Sequence, residues 1–290
     1  MKKLLLAIAA FILTITLTAC GSTSGVKVEG KLIVGFSPDY APYEFVDLTK
    51  TGDEQYVGAD IELAKYIAKE LNLELVLEPS GFSQCLINLQ SGKIDLAISG
   101  FTYKAERAEN FEMSDVYFDD GEGDQVVVTT KANLAKYGSL SAVNANGVIV
   151  GAQAGSIQYD LAVAQLPNAK IEQHINISDM ITYLEAGKLH AVAMSQTAAE
   201  ALISTNSNIV IVDGKFEIED SGLYVIGKKG NTELMDQVNE VIAKVKTEKL
   251  YETWMEQASI LFEQLGDNAG QPDLSTPEPT EEATGESSAE

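Results

Sequence analysis

A single guanidinium stands out in this 290-residue chain: Arg107 is an arginine, and the rest of the 20 Lys+Arg residues are lysines. It follows the stretch DLAISGFTYKAER, in which an apolar run ends on Ser99, Gly100 and Thr102. A guanidinium pairs bidentately with a planar carboxylate, where an ammonium acts as a point charge. That is one reason for a lysine-rich chain to keep one arginine. A surface arginine at a helix start accounts for its rarity equally well. Two more groups stand where apolar runs end. SPDYAPYEF (37–45) offers the aromatic Tyr40 in a proline-braced loop, and GFSQ (81–84) puts Phe82 at a helix start. Together these stretches would supply aromatic faces, hydroxyls, exposed backbone groups and one fork-shaped cation.

Other chemistry finds little support. General acid–base work needs a positioned carboxyl or histidine. The two histidines are His174, with no partner at a recognisable spacing, and His190, which precedes a strand and reads as structural. There is no His/Cys/Asp cluster with metal-ligand spacing and no phosphate-binding glycine loop, so neither metal nor cofactor is expected. Cys85 lies in the apolar pattern Phe82, Cys85, Leu86, Leu89 and reads as a small buried hydrophobe.

The elements that must position these residues alternate along the chain. Strands are expected at 32–35, 73–77 and 94–99, with helices at 61–71, capped by Asp60, and at 83–90. A second set follows: strands at 148–152, 170–174, 189–194 and 209–212, helices at 157–165, 178–186 and 197–204. A strand at 224–226 and helices at 232–250 and 251–265 close the chain. Alternation of this kind implies parallel sheets covered on both faces, and two sets imply two α/β lobes. SGKIDLAISGFT (91–102) and AGKLHAVAMSQT (186–197) echo each other, which puts Gly100 and Ser195 at equivalent strand ends. Ligands bind beyond such ends in open α/β sheets. The expected boundaries are 31–120 with 218–265 for the first lobe and 125–213 for the second. Hinge crossings are expected near 119–125, where Gly121-Glu122-Gly123 fits a hinge, and near 213–222.

A net charge of −23 and a pI near 4.4 argue against nucleic acid and anionic membrane surfaces as partners. Residues 266–290 read as a disordered acidic tail, since they hold too few large apolar side chains to offset ordering entropy. At the other end Lys2 and Lys3 precede an apolar run from Leu4 to Leu17, a secretory signal pattern too short for a membrane span. Its exit, Leu17-Thr18-Ala19-Cys20, resembles the lipobox of bacterial lipoproteins. This implies a signal at 1–20, diacylation of Cys20, a polar linker at 21–30, and attachment to the cell membrane through the lipid alone.

From about Lys31 to Leu261 the chain resembles the polar-amino-acid solute-binding proteins of ABC transporters (family 3). The matching elements are YAPYEF, GADIELAKYIAKELN, SGKIDLAISGFTYKAER, FEMSDVYF, GAQAGS and GLYVIGKKGN, in the family's order. The resemblance implies a two-lobed, type II periplasmic-binding-protein-like α/β fold, with parallel-sheet lobes joined by two hinge crossings. It implies a monomeric extracytoplasmic receptor that captures an amino acid or close analogue and delivers it to a permease, without catalysis. Tyr40 and Phe82 would sandwich the ligand, and Ser99, Gly100, Thr102 and Arg107 would hold its α-carboxylate. Ser156 would add helix N-terminal N–H groups, and Gln153 would face the ligand. One position departs from the family: Ser195, with Gln196, stands where an aspartate usually pairs the α-ammonium. Asp120, Glu122 or Glu200 could replace that charge, neutral oxygens could suffice, or the ligand could lack a free ammonium. Ser37 likewise replaces an aspartate found in some binders of basic amino acids. The same fold also hosts a prephenate/arogenate dehydratase branch and could serve a ligand sensor; these are the alternative readings.

Overall fold

The computed structural model describes residues 25–119, 124–218 and 220–270. Outside them lie the expected signal, Cys20, residues 21–24 of the linker, the tail from 271, and Asp120 through Gly123.

The strands are β1 (Lys31–Phe36), β2 (Phe45–Asp47), β3 (Tyr56–Val57), β4 (Glu74–Pro79), β5 (Leu96–Ala97), β6 (Phe111–Phe118), β7 (Gln125–Thr130), β8 (Ile149–Gln153), β9 (Lys170–His174), β10 (Ala191–Ser195), β11 (Ile209–Ile211), β12 (Leu223–Lys228) and β13 (Ala269–Gly270). Between them run α1 (Ala59–Glu70), α2 (Phe82–Ser91), α3 (Ala105–Asn110), α4 (Leu134–Tyr137), α5 (Leu140–Val143), α6 (Ile157–Gln165), α7 (Ile177–Glu185), α8 (Gln196–Thr205), α9 (Thr232–Glu248) and α10 (Leu250–Leu265). One five-stranded sheet has the order β4-β1-β5-β12-β6, and a second has β11-β7-β10-β8-β9.

The two sheets share one plan. In the first, β4, β1 and β5 are parallel and β12 runs against β5; in the second, β9, β8 and β10 are parallel and β7 runs against β10. The echo between 91–102 and 186–197 therefore falls on matching strands, β5 and β10. The sheets are mixed, however, where alternation predicts parallel ones. The reason lies in the crossings. β7 and β12 each enter a sheet directly from the other lobe, without a covering crossover helix, and so run antiparallel to their neighbours. The pairs β6/β7 and β11/β12 flank residues 119–124 and 212–222, where the chain passes between lobes.

Helix α1 forms where Ile61, Ala64, Ile67 and Ala68 recur on one face, and all four are buried. Its N-cap is Gly58, not Asp60; Asp60 sits inside the first turn, turned inward. Helices α9 and α10 return to the first sheet: Leu234, Val238, Ile242, Tyr251 and Met255 share a core with Leu32, Val34 and Leu96. Each such side chain contributes about 1.5–3 kcal/mol through burial. Cys85 is buried with Phe82, Leu89 and Phe101, and burial raises its thiol's pKa, as expected of a packed hydrophobe rather than a nucleophile. His190 accepts the Ile149 N–H through Nδ1, a structural role. No helix of the described residues is long and apolar enough to cross a membrane, and they hold no group of three metal-ligating side chains.

Candidate functional site

Strand β5 is short, and the chain leaves it through Ser99, Gly100, Phe101 and Thr102 before α3 carries Arg107 back beneath the turn. Arg107 is 4% exposed. Its Nη1 donates to the Thr102 carbonyl, and its Nη2 donates to the Gly155 carbonyl at 3.3 Å. The guanidinium carbon lies 5.0 Å from the Phe101 ring centre and 6.0 Å from that of Phe82. These two rings stack on each other at 4.4 Å. Burial lowers the arginine to about 10, which leaves it charged at neutral pH. Its Nε is buried without a partner. The sole arginine is thus an enclosed cation that touches the second lobe at Gly155.

Tyr40 occupies the middle of the cleft. Its ring stacks on Tyr43 at 4.9 Å, and its hydroxyl, pushed up by burial, faces Ser195 across the lobes. Ser195 ends β10 and caps α8 by accepting the Ala198 N–H at 3.2 Å. Gly100 has φ +57°, and a Cβ there would stand 3.0 Å from the Tyr40 ring. Glycine is favoured on both counts.

Two small cavities lie between the lobes. One, about 10 Å³, is lined by Phe82, Gln153, Ser156, Tyr40, Gly100 and Thr102, with Ile157 and Gln158 beside them. The other, about 20 Å³, shares Tyr40, Gly100, Thr102 and Gln158 and adds Ser195, Thr197, Gln125, Asp119 and Ser221. Of the residues expected from sequence, Tyr40, Phe82, Gly100, Thr102, Gln153, Ser156 and Ser195 therefore line these cavities, and Arg107 lies directly behind Thr102. Ser99 does not. It is fully buried, with its Oγ accepting the Ser37 N–H and donating to Glu44 at 2.6 Å. The Gly100 N–H is also taken, by Asp60 Oδ2 at 2.7 Å. Ser156 caps α6, accepting the Tyr159 N–H and donating to the Gln153 carbonyl. The N–H groups left to this helix start are those of Ile157 and Gln158.

Beneath Ser99 and Gly100 lies a buried acidic pair. Asp60 accepts from Tyr117, Tyr251 and the Gly100 N–H. Glu44 accepts from Ser99 alone. Burial, then the Asp60 charge, pushes Glu44 well above the usual carboxylate range; burial also raises Asp60, against three donors that lower it. Asp60, with more donors to hold its charge, is the easier of the two to ionise, and Glu44 is the more strongly raised.

Sequence reasoning missed Asp39. Its carboxylate leaves the first lobe to accept the Ile177 N–H at 2.9 Å, at the start of α7, and Gln153 Nε2 at 3.1 Å. Ser37 donates to it at 2.7 Å. Burial raises it to about 6. Lys104 adds an ion pair to Asp160 at 2.6 Å. The Asp39, Lys104 and Arg107 contacts hold the lobes closed. Glu200, considered as a counter-charge, instead accepts from Gln196 on the exposed side of α8. A larger groove of about 540 Å³ runs past Asp39 and Tyr40 between α7, α8 and Phe262. No lysine or arginine lines it, so it offers no charge to hold a carboxylate.

Cleft, crossings and paired sheets agree with the family comparison: the model of the bacterial extracellular solute-binding proteins, family 3, matches residues 32–257. The chain belongs to this family. As a family 3 solute-binding protein it is 33% identical over 265 residues to the arginine-binding extracellular protein ArtP of Bacillus subtilis (strain 168), covering 88% of this chain and 98% of that one. It superposes on the substrate-binding protein AbpA from Streptococcus pneumoniae Canada MDR_19A, a structure bound to L-arginine. The TM-score is 0.73 and the identity 36%, over 80% of this chain and 96% of that one. It also resembles the ancestral amino-acid-binding protein AncCDT-1, a precursor of cyclohexadienyl dehydratase, at TM-score 0.68 and 30% identity over 78% and 96% of the two chains.

Proposed function

We propose that this solute-binding protein is an extracytoplasmic receptor that closes its lobes on an amino acid and delivers it to an ABC permease, with L-arginine the first ligand to test. The observation that carries this reading is the environment of Arg107. It is a buried, charged fork whose partners are neutral carbonyls from both lobes. A buried cation in such company gains strongly from an anion, and a carboxylate matches its planar geometry. In this reading the ligand carboxylate meets Arg107, Thr102 and the first-turn N–H groups of α6 beyond Ser156. Tyr40 and Phe82 flank the ligand, Gly100 keeps the turn open beside Tyr40, and Gln153 and Ser195 face it from the second lobe. Ser99 supports the turn from behind. The cavities between the closed lobes are smaller than an amino acid, so entry requires the lobes to part about the crossings. The arginine-related names of two relatives support the choice of ligand.

Binding energy goes into closure and no reaction is needed; His174 and His190 line neither cavity. The receptor acts as a monomer tethered through a lipid on Cys20, a reading supported by the lipobox-like sequence. Its lobes comprise 31–120 with 218–265, and 125–213.

A thermal-shift screen against the amino acids and their N-acyl and keto analogues tests the class, since ligands of the closed form stabilise by mass action. Arg107→Lys tests the clamp. Losing one charge-assisted bond, about 1.5–3 kcal/mol, weakens L-arginine at least about tenfold in calorimetry. A variant that binds like wild type refutes the clamp, and turnover of prephenate in proportion to protein refutes a pure receptor.

A further inference from the structure

We infer that Ser37 is a positioning residue, which aims Asp39 at the second lobe before the lobes close. The assignment rests on the amino-acid receptor reading above. Strand β1 ends at Phe36, and the chain then turns through Ser37, Pro38 and Asp39 to Tyr40. Ser37 is buried and lines neither of the two interlobe cavities nor the larger groove, so it acts through its neighbours. Its N–H donates to Ser99 Oγ at 3.0 Å, and its hydroxyl donates to Asp39 Oδ1 at 2.7 Å. Ser99 in turn donates to Glu44 at 2.6 Å. These bonds run in one direction, because each hydroxyl has a single proton to give. Ser99 spends its proton on Glu44 and so accepts from Ser37, and Ser37 spends its own on Asp39. The turn that carries Gly100 and Thr102 and the carboxylate that latches the lobes therefore share one anchor.

Opening the lobes breaks some of the Asp39 bonds and spares others. Asp39 Oδ2 accepts from the Ile177 N–H at 2.9 Å and from Gln153 Nε2 at 3.1 Å, and both donors leave with the second lobe. The Ser37 bond lies within the first lobe and persists. It holds the Asp39 side chain near its latching direction in the open receptor, so closing has less conformational freedom to remove. The residue type follows. A serine donates to the carboxylate, whereas an aspartate at 37 would set a further acid against Asp39 and Glu44 in a buried region. The ionisable groups around Asp39 are Tyr40, Glu44 and Cys85 of the first lobe, Asp267 on the same groove, and His174 and Asp179 on either side of the α7 start. Burial raises Asp39, and the bonds from Ile177, Ser37 and Gln153 oppose that rise. Removing the Ser37 hydroxyl therefore makes Asp39 hold its proton to higher pH.

The test is calorimetry with L-arginine from about pH 5 to about pH 8 on wild type, Ser37→Ala, Asp39→Ala and the double variant. The melting temperature of each empty protein confirms its fold. Ser37→Ala keeps the backbone N–H and with it the Ser99 contact. It weakens L-arginine about threefold at about pH 8, the cost of ordering one freed side chain. Closing takes up a proton on Asp39, so affinity falls as pH rises through its value. In wild type that fall is complete by about pH 7, and in Ser37→Ala it continues above about pH 7. In the Asp39→Ala background the Ser37 change alters affinity by less than about 1.5-fold, since no carboxylate is left to aim. Ser37→Ala binding like wild type, an unmoved pH profile, or the same loss in both backgrounds makes Ser37 a packing residue and overturns the assignment while sparing the receptor reading. A wild type that binds neither L-arginine nor any other amino acid removes both.

Discussion

Gly100→Ala separates folding from closure at a single atom. The αL backbone at φ +57° disfavours any Cβ, by about 1–2 kcal/mol, whether the lobes are open or closed. For a protein of this size each kcal/mol lowers the melting temperature by about 2–4 °C, so the empty variant melts about 2–8 °C early. The closed state adds a second penalty. The new methyl would stand 3.0 Å from Tyr40 Cε1 and 3.2 Å from Cδ1, which forces the ring to yield by a few tenths of an ångström. That ring is held by stacking on Tyr43 and faces Ser195 across the lobes, so the shift overpacks the interlobe contact at a cost of about 1 kcal/mol. Affinity for L-arginine therefore falls about fivefold beyond any effect on folding. Differential scanning calorimetry reads the first effect and titration calorimetry the second. A variant that melts early but binds at wild-type strength would show that Tyr40 takes no part in closure. One that melts like wild type would refute the backbone argument itself.

Asp39 predicts a pH dependence of closing. Its proton is held more tightly between the lobes, where its value is about 6, than in an exposed loop, so closing takes up protons between about 4 and 6. L-arginine affinity is then roughly five- to tenfold stronger at pH 5 than at pH 7, while Asp39→Asn flattens this profile; a flat wild-type titration refutes it. Glu44→Gln, which copies the protonated acid, melts within about 2 °C of wild type at pH 7, whereas Glu44→Ala leaves Ser99 short of a partner and loses about 1–3 kcal/mol. Because its value is raised, wild-type stability falls as pH climbs toward it and the Gln variant loses that slope; equal thermal loss in Gln and Ala variants would mean that Glu44 is ionised.

Much of the fold could be read from periodicity. Ile61, Ala64, Ile67 and Ala68 announce α1, and the echo of 91–102 in 186–197 announces two matched sheets, because side-chain spacing follows directly from helical and strand geometry. The rarity of Arg107 drew attention to its stretch, although rarity alone fitted a surface arginine equally well. What sequence could not supply was direction and partnership. The antiparallel β7 and β12 depend on where the chain crosses between lobes, and nothing local records that. Ser99 and the Gly100 N–H looked available to a ligand, yet Glu44 and Asp60, 55 and 40 residues away, occupy them. Asp39 reaches Ile177 over a separation of 138 residues. Local pattern determined which elements form and which residue types could bind. The burial of charge between two lobes, a property of no single segment, decided which groups line the cleft and which hold it shut.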